Sequence, residues 1–268
     1  MTRIAVPRFF KEKKALKKTK TLILGATAFA CGLSGVLTDV VVASEDTSPG
    51  GEFADAMVNH PADVNSLGAA GKGIADELVS RGCLDDSGRI HILALSGVVA
   101  KRFYDSGREI LLSTFPVSIE RTSDGFLTTL FSAVDGYIRI LSERVIDTRA
   151  DDSDLHGAKK TFGLMLSGIV DPGKISGAKA VRGYFDDEFV LRFEVPADFS
   201  VPDAEKYADG WLRENHASLG EAKVSAIALR FGYESESPID YTKDGVRHIV
   251  SASYPDALTA FDRGASFC

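Results

Sequence analysis

The chain has 268 residues, 44% of them hydrophobic, and a formal net charge of −7. That composition can bury a sizeable core, as one large or two small domains, and excludes a disordered protein. The first 43 residues carry eight basic residues against Glu12 and Asp39, leaving a balance of −13 on the remainder. So acidic a body repels phosphate backbones and excludes nucleic acid as a partner.

The basic start is followed by an uncharged, mostly apolar run from Thr21 to Leu37 and then by V-V-A-S-E-D. This order is that of an export signal, with residues 1–43 removed and the mature chain starting at Ser44. The alternatives are an uncleaved membrane anchor through residues 21–43 and lipid attachment at Cys31. All three place the body outside the cytoplasm, in the periplasm or beyond the cell. Removal of the segment leaves Cys83 and Cys268, an even pair expected to form a disulfide in an oxidising compartment.

Residues 44–51 are polar and rich in helix breakers, which predicts a flexible leader. Residues 52–174 are expected to be helix-rich. Apolar residues from Phe53 to Val79 fall at helical spacing, with Pro61 starting a second segment. The A-A-G-K-G run at Ala69 to Gly73 lacks the G-x-x-x-x-G-K-[ST] spacing of a phosphate loop, so close helix packing accounts for it better. The tetrapeptide D-S-G-R occurs at Asp86–Arg89 and again at Asp105–Arg108, each ahead of a strand-like run, Arg89–Ser96 and Glu109–Ile119. Both copies read as tight turns at strand entries. The stripe Phe126, Leu127, Leu130, Phe131, Val134, Tyr137, Ile138, Leu141 and Val145 predicts a helix.

Residues 175–268 predict strand, strand, helix, strand, strand. Lys179–Tyr184 and Glu188–Val195 make a hairpin, a helix runs from about Asp203 to Leu219, and Asp244-Gly245 turns a second strand pair. The expected class is α+β, a helix-rich N-terminal part packed on a mostly antiparallel sheet with a C-terminal ββαββ layer.

Catalytic signals are sparse. The five histidines show no zinc spacing, and His91 is the histidine candidate. Asp151 to Gly157 has the alternating oxygens of a calcium loop, but Gly163 stands where the bidentate Glu is required. There is no G-x-S-x-G elbow. The string Arg102-Phe-Tyr-Asp-Ser and the triplet Glu234-Ser235-Glu236 resemble the arginine strand and Glu-x-Glu loop of secreted ADP-ribosylating toxins. That resemblance implies Arg102 on dinucleotide phosphates and Glu236 on a ribose, while the family's middle Ser-Thr-Ser element is missing. Among the C-terminal aromatics, Trp211, Tyr233 and Tyr241 are candidate binding anchors. The expectation is an exported, envelope-associated binding or assembly protein with no evident catalytic site, no cofactor and no metal, which meets an envelope protein or a second copy of itself. The alternative is a secreted enzyme, a hydrolase or an ADP-ribosyltransferase-like protein using Arg102 with Glu234 or Glu236.

Overall fold

The computed structural model describes residues 16–150, 155–168 and 170–267. Its first strand, β1 (Lys17–Leu24), leads through a turn at Gly25 into helix α1 (Ala28–Val36) and back along β2 (Val40–Ala43), which pairs parallel to β1 with Thr21 opposite Val40. Leu22, Ile23, Leu24, Phe29 and Leu33 are completely buried. The segment expected to be an export signal or anchor is therefore the centre of the core. The misreading has a physical basis: a parallel strand covered on both faces is as continuously apolar as a signal sequence. Cys31, the alternative lipid site, is buried in α1, and Ser44 continues β2 by donating its amide to Leu111. Among the described residues no helix is long and apolar enough to cross a membrane.

From the expected leader the chain enters a short helix, α2 (Gly51–Ala54), followed by α3 (Ala69–Ser80), α4 (Ile92–Asp105) and β3 (Glu109–Leu111), which lies parallel to β2. Pro49, Gly50 and Gly51 are buried, so this leader is part of the packed body. The strand expected at Arg89–Ser96 is instead the start of α4, and only Leu84 and Ile90 bridge. The first D-S-G-R is a tight turn closed by the Asp85 carboxylate, which accepts the amides of Ser87 and Arg89, each at 2.9 Å. The second copy ends α4, with Gly107 at φ +64°.

The helix expected across Phe126–Val145 is a meander of β4 (Thr114–Thr122), β5 (Gly125–Ser132) and β6 (Gly136–Asp147). Two D-G pairs, Asp124-Gly125 and Asp135-Gly136, make its turns, with both glycines at positive φ. These are the strongest short-range hairpin signals in this stretch. The far half of β6 pairs parallel to β1, with Leu24 opposite Asp147.

A second sheet takes β7 (Lys159–Ser167), β8 (Lys179–Arg182) and β9 (Glu188–Glu194); helix α5 (Val201–Leu219) then leads to β10 (Lys223–Ile227) and β11 (Gly232–Glu234). The last hairpin, β12 (Asp240–Lys243) and β13 (Val246–Ile249), does not join this layer. It returns to the first sheet, with β13 parallel to β6. The eight-stranded sheet runs β12-β13-β6-β1-β2-β3, with β5 and β4 branching from β6. A mixed sheet with a parallel centre thus replaces the expected antiparallel sheet and ββαββ layer. Local patterns cannot reveal pairings between strands more than a hundred residues apart.

The C-terminal helix α6 (Ala257–Ala265) crosses α1 at two glycines. A Cβ on Gly32 would lie 2.0 Å from the Phe261 carbonyl, and one on Gly264 2.1 Å from that of Phe29. Asp262 of α6 also accepts the Gly68 and Gly71 amides at the start of α3, at 3.0 and 2.8 Å, so the A-A-G-K-G run serves helix packing. Cys83 carries a free thiol, and Cys268, its expected disulfide partner, lies outside the described residues.

Overpacking at the crossing has a measurable cost. Gly32→Ala and Gly264→Ala should each destabilise the protein by about 2 kcal/mol. Gly97→Ala, in open space on α4, should stabilise it by about 0.5–1 kcal/mol. Urea unfolding of the three variants checks this, and equal effects would contradict the close crossing.

Candidate functional site at the carboxyl ends of the parallel strands

In open α/β sheets ligands bind beyond the carboxyl ends of the strands, where the strand order reverses. Here β1 has β2 on one side and β6 on the other. The residues following these strands line a cavity of about 220 Å³, with Thr27, Glu45, Asp46, Thr148 and Arg149 on one side. Glu52, Ala150, Val201, Arg230, Phe231, Tyr233 and Ala252 complete its wall.

Each polar group is held by the local fold. Gly25, at φ +96°, turns β1 into α1, and the Thr148 hydroxyl donates to the Leu24 carbonyl at 2.9 Å. Arg149 grips both oxygens of Asp147, at 2.9 and 2.8 Å, and reaches Glu45 at 3.4 Å. Arg230 is paired with Asp46 and lies 3.7 Å from Asp55. Five carboxyl groups thus surround two guanidinium groups, and both arginines are already paired.

Glu52 is the most constrained member. Gly50, at φ +75°, starts the single turn of α2 and sends Glu52 beneath α1. Its Oε1 accepts the Ala28 amide at 2.7 Å and the Ser251 hydroxyl at 2.8 Å. Ser251 Oγ in turn accepts the Phe29 amide at 3.2 Å, and Thr27 Oγ1 accepts that of Ala30 at 3.1 Å. The first three amides of α1 are therefore all satisfied from within the chain. Burial pushes the Glu52 carboxyl above its ordinary range, opposed by these hydrogen bonds and by Arg230.

A second charged cluster sits on the other sheet. The buried Arg192 guanidinium lies 3.0 Å from Glu234 Oε1 and donates to Thr161 Oγ1 at 3.1 Å. His60 contacts Arg192 and stands 3.9 Å from Glu234. Burial, then Arg192 and Lys179, lower the His60 pKa to about 4 against the pull of Glu234.

The sequence candidates are dispersed. Arg102 lies on a helix rather than a strand and is spent on α3, paired with Glu77 at 2.8 Å and donating to the Gly73 carbonyl at 2.8 Å. Glu234 belongs to the Arg192 cluster, and Glu236 lines a neighbouring cavity with His156 and Lys159. The toxin-like arrangement is not formed. His91 precedes α4 and packs against Tyr184 and Phe185. Trp211 is core, donating to the Ser176 carbonyl at 2.8 Å, and Tyr241 stacks on His248. Of the three aromatic candidates only Tyr233 lines the cavity at the strand ends. Asp151 to Asp154 lie outside the described residues, among which no cluster could hold a metal ion. Sequence reading missed Glu52, Arg149 and Arg230. One available signal was Gly25 after an apolar strand with Glu45 twenty residues on, the spacing of a dinucleotide fingerprint. Thr27 obscures it by standing where the second glycine belongs, while Ala30 is accepted at the third position.

No family model matches the chain, nor does any curated protein. Solved structures do. The p-nitrophenol 4-monooxygenase of Pseudomonas putida superimposes with a TM-score of 0.58 at 12% identity, over 93% of this chain and 77% of its own. A flavoprotein/dehydrogenase from Cytophaga hutchinsonii gives 0.55 at 11%, over 93% and 76%. The fold is flavoprotein monooxygenase-like. The Diels-Alderase of the pyrroindomycin pathway has it too, with a TM-score of 0.51 at 14% identity over 92% and 63%. The chain spans between 55% and 77% of the length of the structures it resembles. These neighbours correct the expectation of an envelope-associated protein without a catalytic site, because their scaffold is one that carries enzymes.

The fold implies a flavin dinucleotide, whose diphosphate would meet the α1 amides. Gly25 and Glu45 suit such a group. The amides themselves are taken by Glu52, Ser251 and Thr27, and Thr27 adds a side chain where a glycine lets a diphosphate approach. The cavity, at about 220 Å³, falls below the roughly 300–1,000 Å³ of ordinary ligand pockets. The residues present do not fit a flavin dinucleotide.

The His60 shift has a definite sign in stability. With its folded pKa depressed from 6.5 to about 4, neutral His60 contributes fully above pH 6.5, and this contribution is lost as pH falls toward 4. The loss is at most about 3 kcal/mol. Thermal melts of His60→Gln should lack that acid limb, and an unchanged limb would contradict the half-buried, neutral assignment.

Proposed function

We propose that the chain is an enzyme working by proton transfer on a compact, flat, uncharged organic molecule in the cavity at the strand ends. The observation that carries this is Glu52, a buried carboxyl held above its ordinary pKa on the wall of the cavity. Active sites tune carboxyl groups upward in this way for general acid–base work. In its acid form Glu52 gives a proton to a substrate oxygen. The carboxylate left behind is stabilised by the Ala28 amide and Ser251 hydroxyl until the proton returns. Phe231 and Tyr233 supply an aromatic wall, and Arg149 and Arg230 are each paired with carboxylates rather than turned to an anion.

Two neighbours support this substrate class. One acts on a nitrophenol, and the other is named for a Diels-Alder reaction. A flavin-dependent hydroxylase is the second reading, favoured by Gly25 and Glu45, and the dinucleotide-binding experiment below separates the two.

p-Nitrophenol serves as a probe because its anion absorbs visible light. Wild-type protein should bind it saturably as the neutral phenol, with loss of the nitrophenolate band. Binding should weaken as rising pH removes the proton that Glu52 donates to the phenol oxygen, and Glu52→Gln, whose amide stays a donor at every pH, should extend binding to higher pH. Val201→Trp, which fills the cavity, should weaken binding at least about tenfold, or ~1.4 kcal/mol. No saturable binding of p-nitrophenol or of simpler phenols would sink the proposal.

A further inference from the structure

We infer that Glu52 occupies the place a dinucleotide diphosphate would take on α1, so that this chain binds no dinucleotide and reserves the cavity for a compact ligand. The inference rests on the reading of that cavity as the active site and specifies what it excludes. An anion at a helix amino terminus is held by free amides and by the positive end of the helix dipole. Here the Glu52 carboxyl already supplies the acceptor oxygen: Glu52 Oε1 takes Ala28 at 2.7 Å, and Ser251 bridges the same carboxyl to the Phe29 amide. The Thr27 hydroxyl takes the third amide.

Two further features oppose displacement of Glu52. Its segment is fixed from behind, because Gly50, in a left-handed conformation at φ +75°, packs closely against Val99 of α4, where a Cβ would lie 3.2 Å from Val99 Cγ2. A diphosphate would also enter beside Glu45 and Asp46, with Arg149 and Arg230 paired to carboxylates. Like charges brought together in so sheltered a place repel strongly.

The test is equilibrium dialysis of the full chain against flavin adenine dinucleotide, ADP and inorganic pyrophosphate, with thermal melts confirming that each variant is folded. Wild-type protein should bind none of them saturably. Glu52→Ala should uncover the Ala28 amide and gain pyrophosphate binding at least tenfold over wild type. Glu52→Gln keeps the plug in place and should gain none. If Glu52→Ala does not fold, Glu52→Asp, one methylene shorter and withdrawn from the amide, takes its place and should gain the same binding in weaker form. Stoichiometric flavin binding by the wild type overturns the inference, as does a folded Glu52→Ala or Glu52→Asp with no gain. Flavin binding together with phenol binding would overturn this inference alone and leave the active-site assignment standing. Loss of phenol binding would count against that assignment instead.

Discussion

Three backbone amides at the start of α1 set the terms for the site. They point away from any helical acceptor into a place sheltered from water, and a buried donor left unsatisfied costs about 1–3 kcal/mol. In a dinucleotide-binding protein a ligand meets that demand. This chain meets it with a carboxylate from α2, a hydroxyl from the segment before α6 and the hydroxyl of Thr27. Two segments far apart in sequence, at Glu52 and Ser251, are thereby tied to one helix end. Part of what would be ligand-binding energy on another sequence is built into the folded chain.

The glycine crossing of α1 and α6 makes this arrangement possible. With Gly32 and Gly264 bringing the two backbones into contact, Ser251, a few residues before α6, comes within reach of Phe29 and Glu52. The paired charges around the cavity follow a similar logic. Arg149 bridges the ends of β6 and β2 through Asp147 and Glu45, while Arg230 ties the loop after β10 to Asp46. Such pairs add little where water reaches them, but in a half-buried rim they fix the spacing of the strand ends.

How much of this was legible depends on distance along the chain. The hairpin of β8 and β9 and the helix α5 could be read from sequence, since alternation, a D-D turn, the Ser200–Asp203 capping box and Gly220 are all local signals. The meander was misread although Asp124-Gly125 and Asp135-Gly136 announced it, because the apolar stripe from Phe126 onward also fits a helical period. The βαβ unit at residues 17–43 has the same apolar run as an export signal, because burial on both faces produces it. Glu52 gave no signal: nothing in S-P-G-G-E-F distinguishes a solvated glutamate from one folded under a helix. Tyr233 was singled out as an aromatic and does line the cavity, whereas Arg102, singled out by a string, proved to be a helix-packing residue.

The central claim is that the Glu52 carboxyl is buried on the first turn of α1. Its most direct test is a pH titration of the Glu52 side-chain carboxyl carbon by nuclear magnetic resonance, followed together with the Ala28 amide. A pKa above the ordinary 4.5 is expected, with the Ala28 amide shifting along the same curve. A carboxyl titrating at or below that value, or an Ala28 amide indifferent to it, would contradict the account.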